Sequence, residues 1–547
     1  MREALLFRNK FLNFAGEVSG NLCNFAGNID TMKYPIGIQH FESLRKDGYA
    51  YVDKTQHIYN LVNTGRYYFL SRPRRFGKSL LLSTIRAYFE GKKELFEGLA
   101  LGTLEEKWEQ YPILYLDLNV GKYDTPESLT AVLSRNLELW EEVYGDRFRE
   151  RSLEERFWHI IRQAYEKAGQ GVVILVDEYD KPMLQTIGND ALQAEFRSTL
   201  KAFYGNLKSC DEYIKFAFLT GVTKFGKVSV FSDLNHLTDI SLLPQFVDIC
   251  GITEEELHRC FDEGVLELAG ANRMSKEECY AKLKYSFDGY HFYPGSGGIY
   301  NPFSLLNTLA YKVFKDYWFE TGTPTFLVKQ LQKTNYPLEE MTREGLTADT
   351  LNSIDIMDEN PLPLLFQSGY LTIKWYDKEF GEYHLGFPNR EVEEGFTKFL
   401  YPFYAPKTSL DKSSFSVARF VKDVRNGDAE GFMRRLEALF ADGDYQIVGN
   451  AEVYFQNTLY VFFKLLGLYV EVERHTSDGR MDILMQTTDY IFILELKVDK
   501  TAAIALRQIE EKGYAAPFAN DPRKLYKIGV NFSSETHKID DWKVVAM

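Results

Sequence analysis

The sequence of 547 residues contains only five cysteines, and no two of them form a Cys-x-x-Cys pair. Thiols that are so scattered favour reduced side chains in a cytoplasm over a disulfide framework or a zinc site. No uninterrupted apolar run approaches the ~18 residues that a membrane-spanning helix requires, and the longest candidate, residues 459–470, is interrupted by Lys464. The charged N-terminus does not resemble a secretory signal. These absences predict a cytoplasmic protein without a membrane segment.

Positive charge is also scarce, since the formal net charge is −14. This balance excludes a protein that coats nucleic acid over its whole surface, although a local basic groove stays compatible with it. The hydrophobic fraction of 45% is ordinary for a globular protein and suffices for several cores.

The N-terminal half alternates between strand and helix patterns. A helix is expected over 78–89 and a long helical stretch over 129–169, between strands at 66–70, 112–119, 171–176 and 215–220. Strands that alternate with helices predict a parallel sheet covered on both faces.

The rest of the chain has a different pattern. Residues 243–350 are mostly helical, and residues 368–388 form a hairpin pattern that suggests a winged-helix-like module. The C-terminal segment has the order α-β-β-α-β. Residues 1–31 show no period and are interpreted as a disordered tail or an over-called translation start. The predicted domains are 1–31, 32–245, 246–410 and 411–547.

A phosphate-binding motif lies between the first strand and the helix that follows it. Gly77, Lys78 and Ser79 match the end of the P-loop pattern, whereas Arg72 occupies the position of its first glycine. Backbone N–H groups before the helix can hold phosphate oxygens, the lysine can reach the β- and γ-phosphates, and the serine can bind Mg²⁺. The cofactor-binding residues predicted around this loop are Arg74, Arg75, Phe76, Gly77, Lys78, Ser79 and Leu80.

Two acids end the apolar strand 171–176 and support this interpretation. Asp177 can hold Mg²⁺ together with Ser79, and Glu178 can polarise the attacking water as a catalytic residue. Both acids are expected at the sheet edge where the P-loop opens. Thr220, which ends the next strand, either senses the γ-phosphate or merely caps the strand.

A second group of charged residues lies near the C-terminus. Glu495 and Lys497 are two positions apart on one strand and share a face, and Asp482 is expected opposite Glu495 on the preceding strand. Two carboxylates in that position can share a divalent cation with Glu452, while Lys497 orients a water for attack on phosphorus. Gln508 on the next helix can contact the phosphate or the water. An ordinary salt bridge between the glutamate and the lysine is the alternative.

Several segments together resemble a known family. PIGIQHFESLRKDGYAYVDKT (35–55), RPRRFGKSL (72–80), VDEYDKP (176–182) and FDGYHF…YNPFSLL (287–306) resemble the AAA-ATPase-like family, which is common in anaerobic bacteria. GRMDILMQTTDYIFILELKVDK…ALRQIEEKGY (479–514) resembles the PD-(D/E)XK nuclease-superfamily domain usually fused to it.

The resemblance implies an α/β fold with a P-loop NTPase sheet, a helical and winged-helix-like middle, and a restriction-endonuclease-like domain. It also implies that Arg72 is a family trait. ATP is implied at Gly77, Lys78 and Ser79, with Asp177 and Glu178 as the Walker B acids. Nuclease residues are implied at Glu452, Asp482, Glu495 and Lys497.

Three functional hypotheses follow from these patterns. The first is an ATP-regulated nuclease that uses Mg²⁺, or Mn²⁺ at the nuclease site, and cleaves DNA, with RNA as the alternative substrate. The second is a nucleotide switch whose C-terminal domain binds nucleic acid or a partner without cleavage, which suits the 18 basic and 21 acidic residues of 411–547. The third is that ATP hydrolysis has been lost. A homo-oligomer is compatible with all three.

Overall fold

The computed structural model describes residues 32–224, 236–321, 325–352, 360–404, 413–441, 451–477, 480–536 and 538–547. The expected tail at 1–31 lies outside these residues. The chain forms two compact units. The N-terminal unit comprises Met1–Gly322 and Glu344–Glu391, and the C-terminal unit comprises Thr323–Arg343 and Val392–Met547. The domain boundaries predicted from the sequence stay predictions.

A five-stranded parallel sheet organises the N-terminal unit. Its strands are β1 (Tyr67–Ser71), β2 (Ile113–Asp117), β3 (Val172–Asp177), β4 (Ile214–Gly221) and β5 (Thr238–Asp239). Their order in the sheet is β2-β3-β4-β1-β5, and each neighbouring pair is parallel. Every residue of β3 is buried, as its continuous apolar sequence requires of a central strand. The predicted parallel α/β sheet is therefore confirmed.

Helices accompany this sheet. They are α1 (Phe41–Lys46), α2 (Thr55–Thr64), α3 (Lys78–Phe89), α4 (Ala100–Leu104), α5 (Pro126–Tyr144), α6 (Leu153–Ala168), α7 (Lys181–Gln185), α8 (Asp190–Tyr204) and α9 (Asn206–Ser209). The long helical stretch expected at 129–169 is two helices. The first ends at Gly145, whose φ is +117°, and Ser152 starts the second with a capping box to Glu155.

The N-terminal unit also contains α10 (Glu254–Ala271), α11 (Lys276–Phe287), α12 (Pro302–Tyr311), α13 (Tyr317–Glu320), α15 (Ala348–Asn352) and α16 (Leu362–Gln367). A short antiparallel pair, β6 (Ile252–Thr253) and β7 (Ile299–Tyr300), lies among them. The predicted hairpin forms a three-stranded sheet in the order β8-β10-β9, from β8 (Gly345–Thr347), β9 (Thr372–Asp377) and β10 (Glu382–Gly386).

The C-terminal unit combines helices with a mixed sheet. The helices are α14 (Thr325–Lys333), α17 (Arg390–Tyr404, which begins in the N-terminal unit), α18 (Ser413–Asn426), α19 (Ala429–Ala441), α20 (Ala451–Leu466) and α21 (Ala502–Glu511). The strands are β11 (Glu471–Ser477), β12 (Arg480–Gln486), β13 (Tyr490–Val498), β14 (Lys524–Ser533) and β15 (Lys538–Ala546), which pair in that order. Only β13 and β14 are parallel. The α-β-β-α-β core matches the prediction, and β11 and β15 add a strand at each edge.

Two further predictions concern the state of the cysteines and a possible membrane-spanning helix. Cys210, Cys250 and Cys279 are buried free thiols, whereas Cys260 is disulfide-bonded, so the expectation of reduced thiols is wrong at that position. Among the helices that the structure describes, none has both the length and the apolar composition required to cross a membrane.

Candidate functional site

The P-loop connects β1 to α3 at the carboxyl edge of the parallel sheet. Gly77 has a φ of +96° and open space where a side chain would begin, so the backbone turns sharply before the helix. Lys78 is buried, and its Nζ donates hydrogen bonds to the carbonyl oxygens of Arg72 and Pro73 at 3.0 and 3.2 Å. Its ammonium group therefore lies against the backbone of the loop.

Arg72, which replaces the first glycine of the motif, is a buried structural residue. Its guanidinium donates to the carbonyl oxygens of Ser71, Ser241 and Phe246 at 2.9, 2.7 and 2.9 Å. The same group lies 3.9 Å from the centre of the Phe292 ring. Burial lowers the pKa of Arg72 to about 10, so it remains charged at neutral pH. The start of the loop is thus fixed by a cation that binds three carbonyl groups.

The FDGYHF segment, which in the sequence carried only the family resemblance, packs against the loop from another part of the fold. Tyr290 contacts the ring of Phe76 edge-on, with 4.8 Å between centroids, and Phe292 does so at 5.6 Å. The φ of Gly369 is +90°, and a side chain there would come within 2.6 Å of Pro73. Phe76, predicted to bind the cofactor, is 1% exposed and contributes its side chain to this packing.

The two predicted Walker B acids have different environments. Asp177 is buried at the end of β3, and its Oδ1 accepts a hydrogen bond from the Thr220 hydroxyl at 2.7 Å. Glu178 is half-buried with a φ of +51°, a left-handed conformation that is costly for a residue with a side chain. Asp117 at the end of β2 pairs with Asp177, and its pKa is raised by burial and by the neighbouring Asp177 and Glu178 charges.

Asp180 is a further buried acid, for which no role was predicted from the sequence. It is fully buried, and its carboxylate accepts hydrogen bonds from the backbone N–H groups of Val222 and Thr223 and from the Thr223 hydroxyl. Burial raises its pKa. Asp180 thereby ties the segment after β3 to the segment after β4, which sets the position of Glu178.

One cavity of about 400 Å³ brings most of the predicted P-loop residues together with Glu178, whereas Phe76, Asp177 and Thr220 are not among the residues that line it. Its lining includes Arg74, Arg75, Gly77, Lys78, Ser79 and Leu80 from the P-loop and Glu178 from the end of β3. Asn119, Lys181 and Gln185 border the same space, as do residues 35–39 and the N-terminal turn of α12. A smaller apolar cavity of about 100 Å³ shares Pro35, Gly77, Leu80, Pro302 and Leu306 with it. A cationic end beside an apolar recess suits a nucleotide.

In the C-terminal unit, the mixed sheet carries the second predicted site. Asp482 pairs with Glu495 in the register of β12 and β13, as predicted. Glu495 is fully buried, and its Oε1 contacts the ammonium group of Lys497, which is also buried. Gln508 is half-buried on α21. The side chains of Asp482 and Glu452 lie outside the described residues.

Among the described residues, Glu495 supplies one oxygen ligand for a cation at this position. Glu495 Oε2 is buried without a hydrogen-bond partner among them, and such an oxygen is a natural metal ligand. In the described part of the chain, which lacks the side chains of Glu452 and Asp482, no cluster of three metal-ligating residues occurs. At the P-loop, the Ser79 hydroxyl and the Glu178 carboxylate line the same cavity, and both are oxygen ligands of the kind that Mg²⁺ prefers.

These two sites define a P-loop NTPase-like unit joined to a nuclease-like unit. Residues 35–231 match a family model described as a predicted AAA-ATPase, and residues 450–542 match the PD-(D/E)XK nuclease superfamily. An uncharacterized protein in the vnfD 5' region of Azotobacter chroococcum mcd 1 is 34% identical over 524 residues, which cover 93% of this chain and 98% of that protein. The chain belongs to the predicted AAA-ATPase family and carries a C-terminal PD-(D/E)XK nuclease-superfamily domain.

Proposed function

We propose that the N-terminal unit binds and hydrolyses ATP with Mg²⁺, and that the C-terminal unit is a metal-dependent nuclease that acts on DNA. The proposal for the N-terminal unit rests on one cavity, which Gly77, Lys78, Ser79 and Glu178 line together. The second half is supported by the buried Glu495 and Lys497 on the strand that pairs with Asp482.

In the N-terminal unit, each residue has a distinct part. The backbone around Gly77 and the N-terminus of α3 hold phosphate oxygens, and Lys78 neutralises the β- and γ-phosphates. Ser79 and Asp177 would hold Mg²⁺, which stabilises the charge on the transferred phosphoryl group. Thr220 orients Asp177 through its hydroxyl hydrogen bond. Glu178 orients the attacking water and accepts its proton.

In the C-terminal unit, Glu452, Asp482 and Glu495 would hold a divalent cation. Such a cation lowers the pKa of a bound water and stabilises the charge on a scissile phosphate. Lys497 orients the water that attacks phosphorus, and its ammonium is held in place by Glu495. Gln508 contacts the phosphate or the water from α21.

ATP hydrolysis is tested by turnover of the full chain. Lys78→Ala is expected to abolish both ATP binding and turnover. Glu178→Gln is expected to retain binding and to lower turnover at least about 100-fold, because it removes the proton acceptor. Glu106→Gln, at an exposed position, serves as the matched control. Full turnover in both site variants would contradict the proposal.

Nuclease activity is tested by cleavage of plasmid DNA and of an RNA with Mg²⁺ or Mn²⁺, with and without ATP. Lys497→Ala is expected to abolish cleavage, whereas Lys500→Ala, which removes an exposed lysine just beyond the same strand, is expected to retain it. Cleavage of neither nucleic acid by the wild-type chain under any of these conditions would refute the nuclease half.

A non-cleaving nucleic-acid-binding protein is the second candidate. The slight excess of acidic residues in 411–547, 21 against 18 basic residues, supports this candidate over the nuclease. An electrophoretic shift of DNA by the wild-type chain, with no cleavage in Mn²⁺, would support this candidate against the nuclease.

A further inference from the structure

Trp318 on α13 makes a direct contact with the P-loop. Its indole N–H donates a hydrogen bond to the carbonyl oxygen of Arg74 at 3.1 Å. The side chain is buried, and its ring packs on Tyr370 with 5.3 Å between centroids. The orientation of the peptide after Arg74, which lies on the wall of the nucleotide cavity, therefore depends on where α13 lies.

Glu391 holds α13 from the opposite direction. Its Oε1 accepts hydrogen bonds from the backbone N–H of Trp318 at 2.7 Å and from the Ser304 hydroxyl at 2.9 Å. The backbone N–H of Phe319 donates to the same carboxyl group. Glu391 is 2% exposed, so these hydrogen bonds replace the contacts with water that its carboxyl group has lost.

Ser304 connects Glu391 to the helix turn that lines the nucleotide cavity. It lies in the first turn of α12, and the neighbouring Pro302, Phe303, Leu306 and Asn307 line the nucleotide cavity. An occupant of the cavity that contacts both the P-loop and this turn therefore acts on two elements that Trp318 and Glu391 already join by hydrogen bonds.

Glu391 also lies where the chain leaves the N-terminal unit. It is the second residue of α17, and the C-terminal unit resumes with the next residue, Val392. Because the residues of an α-helix are joined by successive backbone hydrogen bonds, a displacement of the first turn is passed along the helix. The helix continues to Tyr404 within the C-terminal unit.

We propose that Trp318 and Glu391 form a relay that couples nucleotide binding at the P-loop to helix α17 and through it to the C-terminal unit. The relay rests on the proposed nucleotide binding and adds a route by which that binding regulates the C-terminal unit. Both side chains are positioning residues, because they act through Arg74, Ser304 and the helix and do not touch the phosphates. The coupling is a difference in stability of α17 between the nucleotide-bound and nucleotide-free protein.

The experiment is hydrogen exchange by mass spectrometry on the full chain, with and without a non-hydrolysable ATP analogue and Mg²⁺. In the wild type, the analogue is expected to slow exchange both in α3 and in residues 392–404. Trp318→Phe, which removes the donor to Arg74, and Glu391→Ala, which removes the acceptor, are expected to keep the affinity within about threefold and the protection of α3. Both variants should lose at least half of the protection from hydrogen exchange that the analogue gives to residues 392–404 in the wild type.

Matched controls are Trp375→Phe and Glu320→Gln, which change exposed side chains of the same types and should behave as the wild type. Unaltered protection of 392–404 in both relay variants would overturn the relay, as would an analogue that binds the wild type without slowing exchange there. Loss of binding in both variants would also overturn it, because the residues would then belong to the binding site itself. Absence of analogue binding by the wild type would refute the proposed function as well.

Discussion

Arg72 occupies a position where glycine is normally required, and the structure gives a physical reason for the exchange. A glycine allows the backbone to approach phosphate closely, whereas this arginine turns its side chain into the core. There it binds three carbonyl oxygens and lies over Phe292. These side-chain contacts therefore fix the shape of the loop at this point. A glycine would not provide them.

Restoring the glycine is expected to harm the protein. Arg72→Gly removes the donors to three buried carbonyl groups and leaves a cavity beside Phe292, which should lower the free energy of unfolding by about 3 kcal/mol or more. The measurement is urea denaturation of the N-terminal unit within the full chain. Arg75→Gly is the control, because Arg75 is exposed with a φ of +68° that glycine adopts without strain. An Arg72→Gly protein as stable as the wild type would contradict this account.

Glu391 should make stability depend on pH. Burial raises its pKa from 4.5 to about 8, with a further contribution from Asp316, and the Tyr290 phenol faces the same carboxyl group. Because the folded state holds the proton more tightly than the unfolded state, the stability present below about pH 4.5 is lost progressively as the pH rises to about 8. The wild type should therefore lose on the order of a few kcal/mol relative to Glu391→Gln over this range.

The two proteins are compared by urea denaturation at pH 5 and pH 8.5. A constant difference between them across this interval would show that Glu391 does not bind its proton more tightly in the folded protein.

Local motifs made part of the site predictable, and long-range contacts made the rest unpredictable. Gly77, Lys78 and Ser79 are adjacent in sequence, and Glu178 follows a recognisable buried strand, so their shared cavity follows from the rules of parallel sheets. Trp318 reaches the P-loop only through tertiary packing, and no local pattern marks it. Whether these residues bind ATP stays a prediction.

At the level of elements, helix α3 was predictable from the sequence, whereas the edge strands of the C-terminal sheet were not. The helix predicted at 78–89 coincides with α3, because the P-loop motif fixes its start and apolar residues recur at helical spacing. The edge strands β11 and β15 were not predicted. Their sequences, EVERHTS and KIDDWKVVA, are rich in charged residues and lack the apolar runs that marked the central strands.

The contact between α21 and the C-terminal sheet is expected to tolerate no side chain at Gly529. A Cβ there would lie 2.3 Å from the carbonyl oxygen of Ala502 and 3.0 Å from Leu506, so the helix would have to move away from β14. Gly529→Ala should destabilise the C-terminal unit by about 1–3 kcal/mol. Thermal denaturation measures the effect. In Gly270→Ala, an open position on α10, stability should rise slightly, and a similar rise at Gly529 would contradict the packing argument.

At the level of the whole molecule, the two proposed ligands should stabilise different central strands, β3 and β13, whereas the proposed coupling concerns α17 alone. In Mn²⁺, an ATP analogue at 100 times its dissociation constant should raise the stability of β3 by about 2.7 kcal/mol. Mn²⁺ alone should raise that of β13, where Glu495 and Lys497 lie. Hydrogen exchange of each strand measures both effects. Lys78→Ala should remove only the first effect and Glu495→Gln only the second; stabilisation of neither strand would contradict both assignments.

The arginine at the start of the P-loop also affects how such proteins are found. A search pattern that demands glycine at the first Walker position rejects this chain at Arg72. A pattern that accepts arginine there, and requires an aromatic residue in a later FDGYHF-like segment to cover its guanidinium, would retain it. Genome surveys that count P-loop proteins with the stricter pattern would therefore leave out chains built in this way.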